Sequence, residues 1–129
     1  MPSYDATRFT PPAPVAYVTL RNPQNGQTVK DVPMLLDSGA DVTLLPHNIV
    51  QQLGLSLASE THYELTGFAN NSAISPVVAL EMSLEGKTFR GQFLLIEQDW
   101  GIVGRNILNT QTLILDGPRL TWTLRTSPF

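Results

Sequence analysis

The chain has 129 residues, enough for one domain with a small core. Apolar residues make up 42% and charged residues 15%, a globular balance, and the formal charge of −3 comes with no basic run pointing to nucleic acid. With no cysteine, disulfides and thiolate metal sites are excluded, and no stretch approaches the ~20 apolar residues of a membrane-spanning helix.

Residues 1–14 carry Pro2, Pro11, Pro12 and Pro14 with little apolar content. They read as a flexible arm ahead of a domain over residues 15–129. A self-processing site or a strand at a dimer contact is the sharper reading of the same segment. No basic-then-apolar leader is visible, which favours a cytoplasmic location. Residues 15–21 are rich in β-branched and aromatic side chains and predict a strand. Asn22-Pro23-Gln24-Asn25-Gly26 is a turn cluster ending in a strong hairpin dipeptide. Residues 28–36 return as a second strand, with Pro33 marking an edge or a bulge. Residues 42–45 are strand-like again. Pro46 starts a short helix through residue 53, and Gly54 suits its end. Residues 57–66 and 73–84 predict two long strands about the hairpin tip Gly67-Phe68-Ala69-Asn70-Asn71-Ser72. Glu85-Gly86 is a turn, residues 88–96 a strand and residues 97–101 a loop. Gly101-Ile102-Val103-Gly104 is a short apolar run, followed by a brief helix over residues 105–109. A last hairpin joins residues 113–115 and 120–125 through Asp116-Gly117-Pro118-Arg119. Many short strands with only two short helices predict an all-β barrel or sandwich.

The chemistry concentrates in Leu35-Leu36-Asp37-Ser38-Gly39-Ala40-Asp41. Apolar residues running into an acid predict a buried strand that carries Asp37 to its end. A carboxylate there costs free energy unless partners satisfy it. Ser38 can donate and accept, and Gly39 lets another backbone come close. Seen alone, Asp-Ser-Gly is more often an ordinary Asx turn at a strand end.

Extended through Val42 and Thr43, the stretch resembles the active-site signature of retropepsin-like aspartic proteases, in which Thr or Ser follows the catalytic Asp. Ile102-Val103-Gly104-Arg105-Asn106-Ile107-Leu108 resembles the family's second signature, and the tip at residues 67–72 lies where the family has its flap. The helix and Gly54-Leu55 after the first signature are similar to cellular and bacterial single-domain members. The resemblance spans about residues 15–125. It implies an all-β, closed-barrel-like acid protease fold with one lobe per chain, two short helices and C2 homodimer assembly.

That resemblance assigns roles. Catalysis of this class needs two carboxylates sharing one proton, a general property of aspartic proteases. The chain has one Asp-Ser-Gly, so the resemblance implies an aspartic endopeptidase whose Asp37 faces its symmetry mate across a homodimer. Ser38 and Gly39 complete the catalytic loop. Ser38 is expected to bond across the dimer axis, and Gly39 to offer its carbonyl to an extended polypeptide substrate. Asp41 is expected to accept substrate N–H groups and to pair with Arg105. Thr43 and Asn106 are expected to share a hydrogen bond tying the two signatures together. Gly67, Phe68 and Ala69 form the substrate-binding flap, with Asn70-Asn71 replacing the extra glycines of viral flaps. Trp100 and Ile102 are expected to line apolar pockets, Trp100 narrowing its own. Ala40 cannot donate to the carboxylate, so the pH optimum is expected at about 5–6. No cofactor, metal, nucleic acid or membrane is implied; His47 and His62 read as isolated surface or turn residues. Residues 120–125 are expected to help build the dimer sheet, joined by the arm. Two alternatives are a non-catalytic dimerisation or peptide-binding module on the same fold, against which the intact Asp-Ser-Gly weighs, and a structural fragment of a polyprotein.

Overall fold

The pleat of a strand sends alternate side chains to opposite faces, and β-branched residues fill those faces well. In the computed structural model, which describes residues 2–55, 62–68 and 71–125, that pattern yields ten strands and two short helices. They run β1 (Tyr4–Asp5), β2 (Ala13–Arg21), β3 (Thr28–Leu36), β4 (Leu44–Pro46), α1 (His47–Val50), β5 (His62–Phe68), β6 (Asn71–Leu84), β7 (Lys87–Ile96), β8 (Gly101–Val103), α2 (Arg105–Leu108), β9 (Thr112–Asp116) and β10 (Thr121–Arg125). A 3-10 turn over Gln51–Leu53 extends α1, and Gly54 follows at φ 63°.

The main sheet runs β1-β2-β3-β8-β4-β7-β6-β5, and β2 also pairs with β6. That pairing closes β2, β3, β8, β4, β7 and β6 into a six-stranded barrel among the described residues. A bulge assists the closure. Between the pairs Val18↔Val32 and Leu20↔Val29, Thr19 stands opposite both Lys30 and Asp31, the latter at φ 59°. Bulges bend and twist a strand, and Thr19 is the residue at which β2 also pairs with Ser83 of β6. The barrel encloses Val18, Leu20, Val32, Met34, Leu45, Val78, Leu80, Met82, Val103 and Trp122, each at most 2% exposed. Full burial of each such aliphatic side chain contributes about 1.5–3 kcal/mol. No helix of the described residues is long and apolar enough to cross a membrane.

The order β3-β8-β4 positions the site. β8 lies parallel to β3 on one side and antiparallel to β4 on the other. The chain leaving β3 must therefore cross β8 to reach β4, and residues 37–43 make that crossing.

Phe68 pairs with Asn71, so the strands of the β5–β6 hairpin run further than the tip expected over residues 67–72; Ala69 and Asn70 lie outside the described residues. The amino-terminal segment is not a free arm. Tyr4 and Asp5 pair with Pro14 and Ala13, and Ser3 bridges Thr121 of β10. Tyr4 N–H donates to the Leu120 carbonyl at 2.8 Å, and Trp122 N–H to that of Pro2 at 3.0 Å. Composition misses this because one side chain organises the turn. The buried Asp5 carboxylate accepts from Thr7 N–H and Oγ1, both at 2.8 Å, Arg8 N–H at 2.9 Å and Arg8 Nη1 at 2.6 Å.

The Arg8 backbone N–H, then its guanidinium and the Thr7 hydroxyl, hold the Asp5 carboxyl well below its ordinary value of 3.8. With the folded-state value below the unfolded one, the contribution to stability is full above the unfolded value and lost as pH falls toward the folded one. Asp5→Asn is expected to lower the thermal midpoint at pH 7, with the gap to the parent closing as pH drops below 3.8. Circular-dichroism melts across pH check this, and a gap that stays constant would contradict it.

Candidate active site

The crossing loop starts as a continuation of the sheet. Asp37 N–H donates to the Val103 carbonyl at 3.0 Å, one rung beyond the β3–β8 ladder. The Asp37 carbonyl then accepts from Ala40 N–H at 3.1 Å, closing a turn over Ser38 and Gly39. Inside that turn Gly39 N–H donates to Asp37 Oδ1 at 2.8 Å. A Cβ on Gly39 would stand 3.0 Å from the same oxygen, tighter than ordinary contact. The loop is thus an Asx turn, and the turn fixes the carboxylate. Asp37 is half-buried, with Oδ1 held and Oδ2 without a partner among the described residues, while Ser38 and Gly39 are exposed.

The second signature clasps the loop from below. Arg105 N–H donates to the Ala40 carbonyl at 2.8 Å, and Asn106 N–H to that of Asp41 at 3.3 Å. Thr43, 2% exposed, accepts from Gly104 N–H at 3.1 Å and donates to Asn106 Oδ1 at 2.8 Å. The approach is close enough that any Cβ on Gly104 would run into the Val42 backbone. Thr43 and Asn106 therefore do join the two signatures. Arg105 does not pair with Asp41 among the described residues. Its Nη1 donates to the Ser38 carbonyl at 2.7 Å instead, because its backbone is anchored at Ala40 and lays the side chain along the turn. The Asp41 side chain is left exposed.

Trp100 and Ile102 belong to a second apolar cluster on the outside of the barrel. Its buried members Ile102, Leu44, Leu94 and Val77 stand side by side on β8, β4, β7 and β6, through the pairs Leu44↔Ile102, Leu44↔Leu94 and Val77↔Leu94. Ala40, Val42, Ile96 and Trp100 pack against this row. Their neighbours Leu45, Leu95, Val78 and Val103 point into the main core. Leu44, Leu94 and Val77 carried a sequence signal that the motifs obscured. Unbroken pairs such as Leu44-Leu45 and Val77-Val78 mark strands buried on both faces. Of the expected flap, Gly67 and Phe68 lie on β5 and Ala69 lies outside the described residues. His47 is not isolated, since its Nδ1 meets Glu97 Oε1. Among the described residues no group of three or more His, Cys, Asp or Glu could hold a metal.

This clasp makes Thr43 measurable. Thr43→Val removes the donor to Asn106 and leaves the buried Gly104 N–H unsatisfied, at an expected cost of about 1–3 kcal/mol. Thr43→Ser is expected to retain most of that stability. Urea unfolding checks both, and equal stabilities for the two variants would contradict the role given to the hydroxyl.

The aspartyl protease family model matches residues 18–114, a span that contains both halves of the clasp. Among solved structures, EIAV protease complexed with the inhibitor HBY-793 aligns with a TM-score of 0.56 at 19% identity, covering 75% of this chain and 86% of that one. At that identity the likeness concerns the fold. No curated protein matches. A family match over most of the barrel, on a one-lobe architecture shared with a retroviral protease, places this chain in the aspartyl protease family.

Proposed function

We propose that the protein is an aspartic endopeptidase of the retropepsin type, working as a homodimer on extended polypeptides. The observation that carries this reading is the Asp37 carboxylate: one oxygen is pinned by Gly39 N–H, the other lacks a partner among the described residues, and the turn around it is exposed. The chain contains one Asp-Ser-Gly, so the second acid must come from another copy. Exposed Leu115 and Leu120, at 53% and 43%, sit on or next to the β9–β10 hairpin and favour burial against such a copy. β10 meets β9 on one edge and Ser3 of its own chain at Thr121. Any dimer sheet through residues 120–125 would therefore also engage the amino-terminal segment.

In the dimer, two carboxylates close together share one proton. The ionised acid takes a proton from water, which attacks the peptide carbonyl, while the other acid protonates the carbonyl oxygen. No covalent intermediate with the chain forms. Ser38 ties the two loops across the axis, and the Gly39 carbonyl accepts from the substrate backbone. Asp41, free of Arg105, takes substrate N–H groups. The substrate lies as an added strand beneath the end of the β5–β6 hairpin, where Gly67 and Phe68 close β5. Its large apolar side chains meet the half-buried Trp100 over the row that ends in Ile102.

Asp37→Asn is expected to lower kcat by about a thousandfold or more on fluorogenic peptides. A tenfold excess of this variant mixed with the parent is expected to cut parental activity about tenfold, because mixed dimers carry one acid. Undiminished parental activity would contradict the shared site. If no peptide of a broad library is cut, the peptide-binding reading replaces the catalytic one. Because the Ala40 methyl cannot donate to the acid pair, activity is expected to peak at about pH 5–6; a maximum near pH 2 would contradict this.

A further inference from the structure

We infer that Phe9, on the amino-terminal turn, is a specificity-determining wall of the substrate pocket that Trp100 lines. The inference rests on the peptidase reading above and extends it to a segment outside both signatures. The Phe9 and Trp100 rings meet edge to face, with centroids 4.9 Å apart and planes at 67°. That is the arrangement favoured by the quadrupoles of two aromatic rings. Trp100 packs on the apolar row of Ile102 and Leu44, and Ala40, which directly follows the Asp37-Ser38-Gly39 turn, packs on the same row. Phe9 is therefore one ring removed from the apolar cluster on which Ala40, next to the acid's turn, also packs. Both rings are half-buried, so neither is sealed in the core.

The backbone beside each ring is held by hydrogen bonds. On the Phe9 side, Asp5 gathers Thr7 and Arg8 into a fixed turn. On the Trp100 side, Gln98 Nε2 donates to the Trp100 carbonyl at 2.9 Å, Asn48 Nδ2 to Asp99 Oδ1 at 3.3 Å, and His47 pairs with Glu97. A wall made of two rings in edge-to-face contact has a set shape. The phenyl occupies space that a smaller residue would open to substrate. The amino-terminal segment thus limits which side chains fit.

The test uses the full chain with a peptide library varied one position at a time, comparing the parent with Phe9→Ala and Phe9→Leu. For Phe9→Ala, the ratio of kcat/KM for large aromatic over small aliphatic side chains is expected to rise about tenfold at one substrate position. Phe9→Leu is expected to move the same ratio in the same direction by less, and the other positions keep their profiles. A uniform change across all peptides, or unchanged profiles, would overturn the inference by reducing Phe9 to a stabilising contact. If Phe9→Ala fails to fold by circular dichroism, Phe9→Leu decides alone, and an unchanged profile in it overturns the role. Failure of the peptidase reading looks different: the parent cuts nothing, or Asp37→Asn cuts equally, and the role of Phe9 falls with it.

Discussion

The structure depends on a strand inserted between two others. β8 separates β3 from β4, so the chain that leaves β3 with Asp37 has to arch over β8 before it can rejoin the sheet. An arch of that kind carries backbone groups with no ladder to pair with, and they must find partners elsewhere. They find them at the end of the strand being crossed. Val103, Gly104, Arg105 and Asn106 supply acceptors and donors to Asp37, Thr43, Ala40 and Asp41 in turn. The two signatures are one object: a loop and the strand end that supports it. Gly104 admits no side chain because the Val42 backbone occupies that space.

The same constraint explains why the acid is both fixed and available. The turn spends one carboxylate oxygen on Gly39 N–H and presents the exposed Ser38 and Gly39 beside it. Arg105 reinforces the turn through the Ser38 carbonyl, a charge-assisted bond that stiffens backbone without touching the Asp37 carboxylate. Alongside lies the apolar row of Ile102, Leu44, Leu94 and Val77, which continues through Trp100 to Phe9. Rigid acid, apolar wall and open turn sit together because β8, β4 and β7 are neighbours in the barrel.

Much of this was legible in the residues, for local reasons. β3 spans Thr28–Leu36 as the hairpin turn before it indicates, and the Glu85-Gly86 turn joins β6 to β7 through the pair Leu84↔Lys87. The Asp-Ser-Gly and Gly-Arg-Asn stretches are recognisable because the crossing demands particular residues at particular places. What escaped depends on distant partners. The Pro-rich segment is fixed through a single Asp5 side chain, which percentages of proline cannot reveal. Bidentate geometry suggests Asp41 as the partner of Arg105, but the anchor of its backbone on Ala40 decides its reach. His47 gained Glu97 across 50 positions of sequence, a contact no spacing rule encodes.

We propose that each chain holds half of a proton-sharing site and that pairing completes it. Sedimentation velocity and peptide hydrolysis measured on the same dilution series test it most directly. The account predicts that activity per mole of chain falls in step with the fraction of dimer as the protein is diluted. A monomeric species that cuts peptides at the undiminished rate would contradict it.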